Sequence, residues 1–186
     1  MNPVCRREPG DGPVLHKAQS IRGWRKTMAE ALSPGAQKFQ DALTALGETG
    51  EVVELPASTR TSAEAASAIG CSIGQIAKSI IFRTISTGRP VMVIASGINR
   101  VNEEKIQSLI GEAVKKADPD FVRQATGFAV GGVPPVGHTE PILTIIDEDL
   151  TKLDEIWAAA GSPHAVFRLT PASLIKMTGG IVTLIK

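Results

Sequence analysis

From Ser33 onward the apolar positions fall into short runs whose period switches between that of a helix and that of a strand. Phe39, Ala42, Leu43 and Leu46 recur at helical spacing behind Ser33-Pro34, an N-cap followed by proline at the first helical position, and Gly47 closes the run. Val52, Val53 and Leu55 form a short strand ended by Pro56. Thr61 with Glu64 has the capping-box pattern and predicts a helix through Ile69, stopped at Gly70. Ala77 to Ile85 and Pro90 to Ala95 are rich in β-branched residues and flank the turn Ser86-Thr87-Gly88-Arg89, which predicts a hairpin.

The second half continues in the same style. Asn102 caps a helix through Leu109 and Ile110, and Asp118-Pro119 opens another that ends near Thr126-Gly127. Pro141 to Asp147 predicts a strand, Asp149 to Ala160 a helix closed by Gly161, and Ala165 to Leu169 a strand. Thr170-Pro171 caps a further helix, and Gly179-Gly180 separates it from a strand over Ile181 to Ile185. Helices and strands alternate irregularly and include a hairpin, which disfavours a purely parallel doubly wound sheet. The expected class is mixed α/β, a mixed sheet wrapped by helices.

Residues 1–30 break this pattern. Pro3, Pro9 and Pro13 stand among Arg6, Arg7, Lys17, Arg22, Arg25 and Lys26, with sparse apolar positions and no period, so disorder is expected there. The stretch is compatible with a basic arm for RNA phosphates or with a mobile extension. The chain of 186 residues suits one well-buried core. Its 20 Lys and Arg against 19 Asp and Glu give a net charge of +1, so contact with nucleic acid requires a local basic patch. No apolar run approaches the roughly 18 residues of a membrane span, and no apolar stretch follows the first charged residues as in a secretory signal. With Cys5 and Cys71 as the only cysteines, a disulfide framework is not expected and a reducing cytoplasm fits.

Two segments carry candidate chemistry. In GQIAKSIIF, Gly74 to Phe82, strand alternation puts Lys78 on one face with Ile76, Ile80 and Phe82. An ammonium on an apolar face must reach solvent, a pocket mouth or an anion, so Lys78 is either a functional cation or a snorkelling residue at a strand end. In TGFAVGGVPPVGHTEP, Thr126 to Pro141, glycines permit close backbone approach and prolines stiffen the loop. Such a loop can offer bare amides to an oxyanion, or simply turn the chain. No dinucleotide, P-loop or nucleophile-elbow pattern occurs. His16, His138 and His164 lack ligand-spaced partners, so no metal site and no cofactor are expected. Ser79 points to the face opposite Lys78, which disfavours a Ser/Lys pair, and Cys71 has the setting of an inert buried thiol. Trp24 and Trp157 form no stacking platform, and tyrosine is absent.

Together, CSIGQIAKSIIF (Cys71 to Phe82), ATGFAVGGVPPVGH (Ala125 to His138) and LTIIDEDL (Leu143 to Leu150) resemble the YbaK/ProX family of freestanding aminoacyl-tRNA deacylases, which also occurs as the insertion editing domain of bacterial prolyl-tRNA synthetases. The resemblance runs from Ser33 to Lys186 and divides the chain into an extension, residues 1–30, and an editing domain, residues 31–186. It implies a mixed, partly barrel-like sheet surrounded by helices, and hydrolysis of the ester of a mischarged tRNA carrying a small amino acid. It further implies a functional lysine at Lys78, with Gly131 and Gly132 as amide donors and His138 positioning water or the amino group. Val133, Pro134, Gly137 and Asp147 then shape or support the aminoacyl pocket. The implied partners are the acceptor 3′ end of aminoacyl-tRNA and a synthetase such as prolyl-tRNA synthetase, without a membrane. A tyrosine that some cysteine-editing relatives use is missing. A noncatalytic module binding aminoacyl-tRNA or a synthetase, and a small-molecule hydrolase or nucleotide-binding protein, are the competing classes.

Overall fold

Local capping chemistry sets most of the helix starts. In the computed structural model, which describes residues 31–56 and 59–186, the Thr61 hydroxyl accepts from the Glu64 amide while the Glu64 carboxylate accepts from the Thr61 amide. That reciprocal pair opens α2 (Ser62–Ile69), and Gly70 closes it in the left-handed conformation. Asn102, Asp118 and Thr170 likewise accept first-turn amides of α3 (Glu103–Ile110), α4 (Pro119–Thr126) and α5 (Pro171–Thr178). Ser33 precedes α1 (Pro34–Ala45) but makes no side-chain cap; its amide and hydroxyl instead donate to Glu54, tying the helix to the neighbouring strand. The residues expected to form the N-terminal extension, 1–30, lie outside the described residues. Ala31–Lys186 form one compact unit.

The strands are β1 (Val52–Glu54), β2 (Ile76–Thr84), β3 (Pro90–Ser96), β4 (Val114–Lys116), β5 (Leu143–Asp147), β6 (Ile156–Ala159), β7 (Ala165–Leu169) and β8 (Ile181–Thr183). They join in one mixed sheet of order β1-β7-β6-β2-β3-β5-β8, with β4 added on β2. β2 and β3 form the expected antiparallel hairpin, whereas β3 with β5 and β5 with β8 are parallel. Helices cover both faces. Phe39, Leu43, Val122 and Leu174 from α1, α4 and α5 pack on Ala77, Ile81 and Ile146. On the opposite face, Ile106 of α3 packs with Phe82 and Val93, and Ala65 and Ala66 of α2 pack with Ile76 and Trp157.

The helix expected over Asp149 to Ala160 is not formed. A short 3-10 turn over Glu148–Lys152 gives way to β6, which pairs in parallel with Ile76 and Ala77 and antiparallel with β7. Ile156 and Ala158 face one core while Trp157 faces the other, so both faces of β6 are apolar. A strand buried on both sides loses its alternation, and a short apolar run of this kind cannot be told from a helix by period.

The hairpin turn is held from outside. Glu112, just after α3, accepts from the amides and hydroxyls of both Ser86 and Thr87. These bonds, the Ser86 hydroxyl foremost, lower the Glu112 carboxyl from 4.5 to about 2. A carboxyl depressed in the folded state stabilises it fully above the unfolded value and ceases to do so as pH falls through the folded one. The urea midpoint of Glu112→Gln is therefore expected to fall below that of the parent at neutral pH. The gap should close between about 4.5 and about 2. A gap independent of pH would remove the carboxylate from the turn's stability.

Candidate active site

The site begins with an interruption in the sheet. Along one edge of β2, β6 pairs only with Ile76 and Ala77, and β4 only with Phe82 to Thr84. Between them the edge passes Lys78, Ser79 and Ile80 without a strand partner. A cavity of about 470 Å³ opens at this breach, bounded by β2, by Trp157 to Ala159 of β6, by the start of α2 and by the loop residues Val130, Gly131 and Val133. Its size is that of a small-molecule pocket. Its walls are largely apolar, and its charged lining residues Arg60, Lys78 and Lys116 are all cations. No carboxylate lines it among the described residues, so the cavity suits an anionic or strongly polarised ligand despite the near-neutral chain.

Lys78 is half-buried, and its ammonium donates to the carbonyls of Asn99 at 2.6 Å and Gly97 at 3.3 Å. An ammonium has three donors, so one is left beyond these two carbonyls. Burial pushes the Lys78 pKa below its usual value, nearby Asp147 pulls it back up, and Arg100 lowers it. The carbonyls come from a tight turn after β3. Asp147, fully buried at the end of β5, accepts from the Ser96 amide at 3.0 Å and the Asn99 side-chain amide at 2.8 Å, and so pins both ends of that turn. Asp147 thus supports Lys78 from behind and does not line the cavity.

The glycine-proline loop separates into two roles. Gly131 and Val133 border the cavity, with Gly131 at a φ of +88° beside Arg60. The Gly131 amide makes no hydrogen bond to the backbone of the described residues. Gly132 faces away: its amide donates to the Ala129 carbonyl, its carbonyl accepts from Gly161, and a Cβ there would meet the Ser162 backbone at 2.7 Å. The His138 ring bonds the Pro134 carbonyl through Nε2 at 2.8 Å and stands edge-on to Phe128. Burial lowers its pKa and favours the neutral ring, which braces the loop outside the cavity lining. Gly137, at a φ of +83°, packs on Ala42 of α1.

Of the residues singled out from sequence, the structure therefore gathers Lys78, Gly131 and Val133 at the cavity. Gly132, Pro134, Gly137, His138 and Asp147 lie outside its lining. Arg60, Lys116 and Asn99 escaped the sequence-based expectations. Arg60 immediately precedes a capping box, which was the only local hint of a functional helix start. Ser79 also lines the cavity, its hydroxyl oxygen buried without a partner among the described residues, but Lys78 is engaged by backbone carbonyls and not by Ser79. Burial raises the Cys71 pKa, as for an unreactive thiol. Among the described residues no three His, Cys, Asp or Glu side chains group as metal ligands, and no helix is long and apolar enough to cross a membrane.

Comparison with known proteins gives consistent matches. A family model for the aminoacyl-tRNA editing domain matches residues 56–177. The chain is similar to the uncharacterized protein YwhH of Bacillus subtilis, 30% identical over 124 residues, covering 67% of this chain and 78% of that one. It is 30% identical over 122 residues to the proline–tRNA ligase of Limosilactobacillus fermentum, covering 61% of this chain but 21% of the ligase. The fold superposes with a TM-score of 0.80 on a crystal structure described as a candidate trans-editing enzyme for prolyl tRNA synthetase. The two are 47% identical, with 84% of this chain and 99% of that one covered.

Proposed function

The chain belongs to the aminoacyl-tRNA editing domain family, and we propose that it acts in trans as a deacylase, hydrolysing the ester that joins a wrongly attached small amino acid to tRNA. The observation that carries this is Lys78 in the lining of a cavity whose charged residues are all cations and which a glycine loop borders, its ammonium held by two carbonyls with a third donor to spare. Residues 31–186 form the editing unit, and the cytoplasm, where tRNA is charged, is its place of action.

An aminoacyl ester is already activated, so positioning and charge stabilisation suffice. Arg60 and Lys116 at the rim take the terminal phosphate, while Lys78 holds the ribose region and orients the ester for attack. Water adds to the ester carbonyl carbon, and the resulting oxyanion faces the Gly131 amide. Collapse breaks the bond to the ribose oxygen, which takes up the proton given up by the attacking water, and free amino acid and deacylated tRNA leave. Gly132 contributes by fixing the loop, since its own amide is already donated to Ala129. His138 acts likewise through Pro134. The apolar walls, Val133 among them, limit the amino acid by size. A pocket excludes larger groups more readily than smaller ones, so alanine, serine, threonine and cysteine are the candidates. The likeness to a proline–tRNA ligase supports tRNA(Pro) as carrier and prolyl-tRNA synthetase as the enzyme whose errors are removed.

A deacylation panel tests this directly. The protein is expected to release at least one small amino acid from mischarged tRNA(Pro) while sparing prolyl-tRNA(Pro). Binding of charged tRNA without turnover would make it a recognition module, and hydrolysis of free aminoacyl esters irrespective of tRNA would make it a general esterase. Either result overturns the proposal.

A further inference from the structure

Lys78 is placed by a residue that never reaches the cavity. Asn99 lies in the turn after β3, buried to 7% exposure, and its carbonyl is the shorter of the two acceptors on the Lys78 ammonium. Its amide closes the turn on the Ser96 carbonyl at 2.9 Å. Its side-chain nitrogen donates at once to Asp147 at 2.8 Å and to Asp149 at 2.7 Å. Asp149 is held in turn by Lys152 and Lys186. A primary amide is the neutral side chain that presents two N–H groups from one atom. Aspartate here would set a third carboxylate against two, and serine has a single hydrogen to give. The residue type thus matches its two carboxylate acceptors.

We propose that Asn99 is a positioning residue for the deacylation: bridging Asp147 and Asp149, it fixes the Gly97 and Asn99 carbonyls that aim the Lys78 ammonium into the cavity. This rests on the deacylase function proposed above. Asp147 supplies the countercharge from beneath the turn, whereas Asn99 supplies the geometry. Because Asn99 acts through Lys78, its loss should reduce turnover rather than substrate capture, which the rim cations maintain.

The test is a double-mutant cycle read by steady-state deacylation of the best substrate from the panel. Asn99→Ala is expected to lower kcat roughly 10-fold to 100-fold with KM changed by less than about threefold, the scale of losing hydrogen bonds to charged groups. In the Lys78→Ala background the same substitution should change kcat by less than about twofold, since the group it positions is gone. Asp149→Ala, which removes one of the two bridges at the protein surface, should act in the same direction more weakly and covers the case in which Asn99→Ala does not fold. An Asn99→Ala or Asp149→Ala cost of equal size in both backgrounds marks a structural role and overturns the proposal, as does unchanged kcat in both variants. If Lys78→Ala itself turns over like the parent, the positioning role and the deacylase mechanism fall together, which separates that failure from the other.

Discussion

Lys78→Ala is expected to slow deacylation by roughly 10²-fold, the scale on which a misplaced ester costs turnover. The loss should fall mainly on kcat. Arg60 and Lys116 remain at the rim to attract the tRNA end, and the fold loses little, because the lysine stem is only half-buried. Lys78→Arg should not restore activity. A guanidinium is longer and planar, and it cannot place two donors on the Gly97 and Asn99 carbonyls while keeping a third on the line an ammonium occupies. Single-turnover hydrolysis of a mischarged tRNA reads both variants. Rates within about threefold of the parent for Lys78→Ala would remove Lys78 from the chemistry, a loss of well under 1 kcal/mol of transition-state stabilisation.

The largest effect on stability is expected at Gly161. It sits between β6 and β7 at a φ of +92°, and a Cβ there would lie 2.1 Å from the Gly35 carbonyl oxygen at the start of α1. Its amide also donates to the Gly132 carbonyl, so helix, turn and glycine-proline loop meet at three glycines. Gly161→Ala combines backbone strain of about 1–2 kcal/mol with overpacking of about 1–3 kcal/mol against main chain that has no rotamer to yield. At roughly 2–4 °C per kcal/mol for a chain of this size, the melting temperature should drop by about 10 °C. Gly111→Ala is the control: its φ is +74°, nothing lies within 4 Å of the added methyl, and only the backbone cost applies. Thermal unfolding followed by circular dichroism separates the two. Equal shifts for both variants would show that the crowding around Gly161 relaxes freely.

What could be read from the sequence was whatever depends on near neighbours. The Thr61-Glu64 box and the Asp118 and Thr170 caps each involve residues three apart, and the helices begin there. Lys78 stood out because one charge interrupts an apolar strand face. β6 was mistaken for a helix because apolar cores cover both its faces, with Ile156 and Ala158 in one and Trp157 in the other, and leave no alternation. The loop was visible as a motif, but its division of labour was not. Gly132 is a glycine because of the Ser162 backbone, and His138 turns inward because Phe128 and Pro134 receive it. Asn99 was silent for the same reason: its acceptors lie 48 and 50 residues further along the chain. Side chains whose purpose is defined by distant partners carry no local signature.

The unpartnered stretch of β2 bears on how such a pocket can diversify. Lys78 and Gly131 mark one part of its lining, whereas its walls include small exchangeable side chains such as Ala65, Val122, Val133 and Ala158. Trading one of these for a neighbour in size resizes the chamber without altering Lys78 or Gly131. Descendants of one ancestral scaffold can thereby come to admit ligands of different size by wall changes alone, with Lys78 left in place.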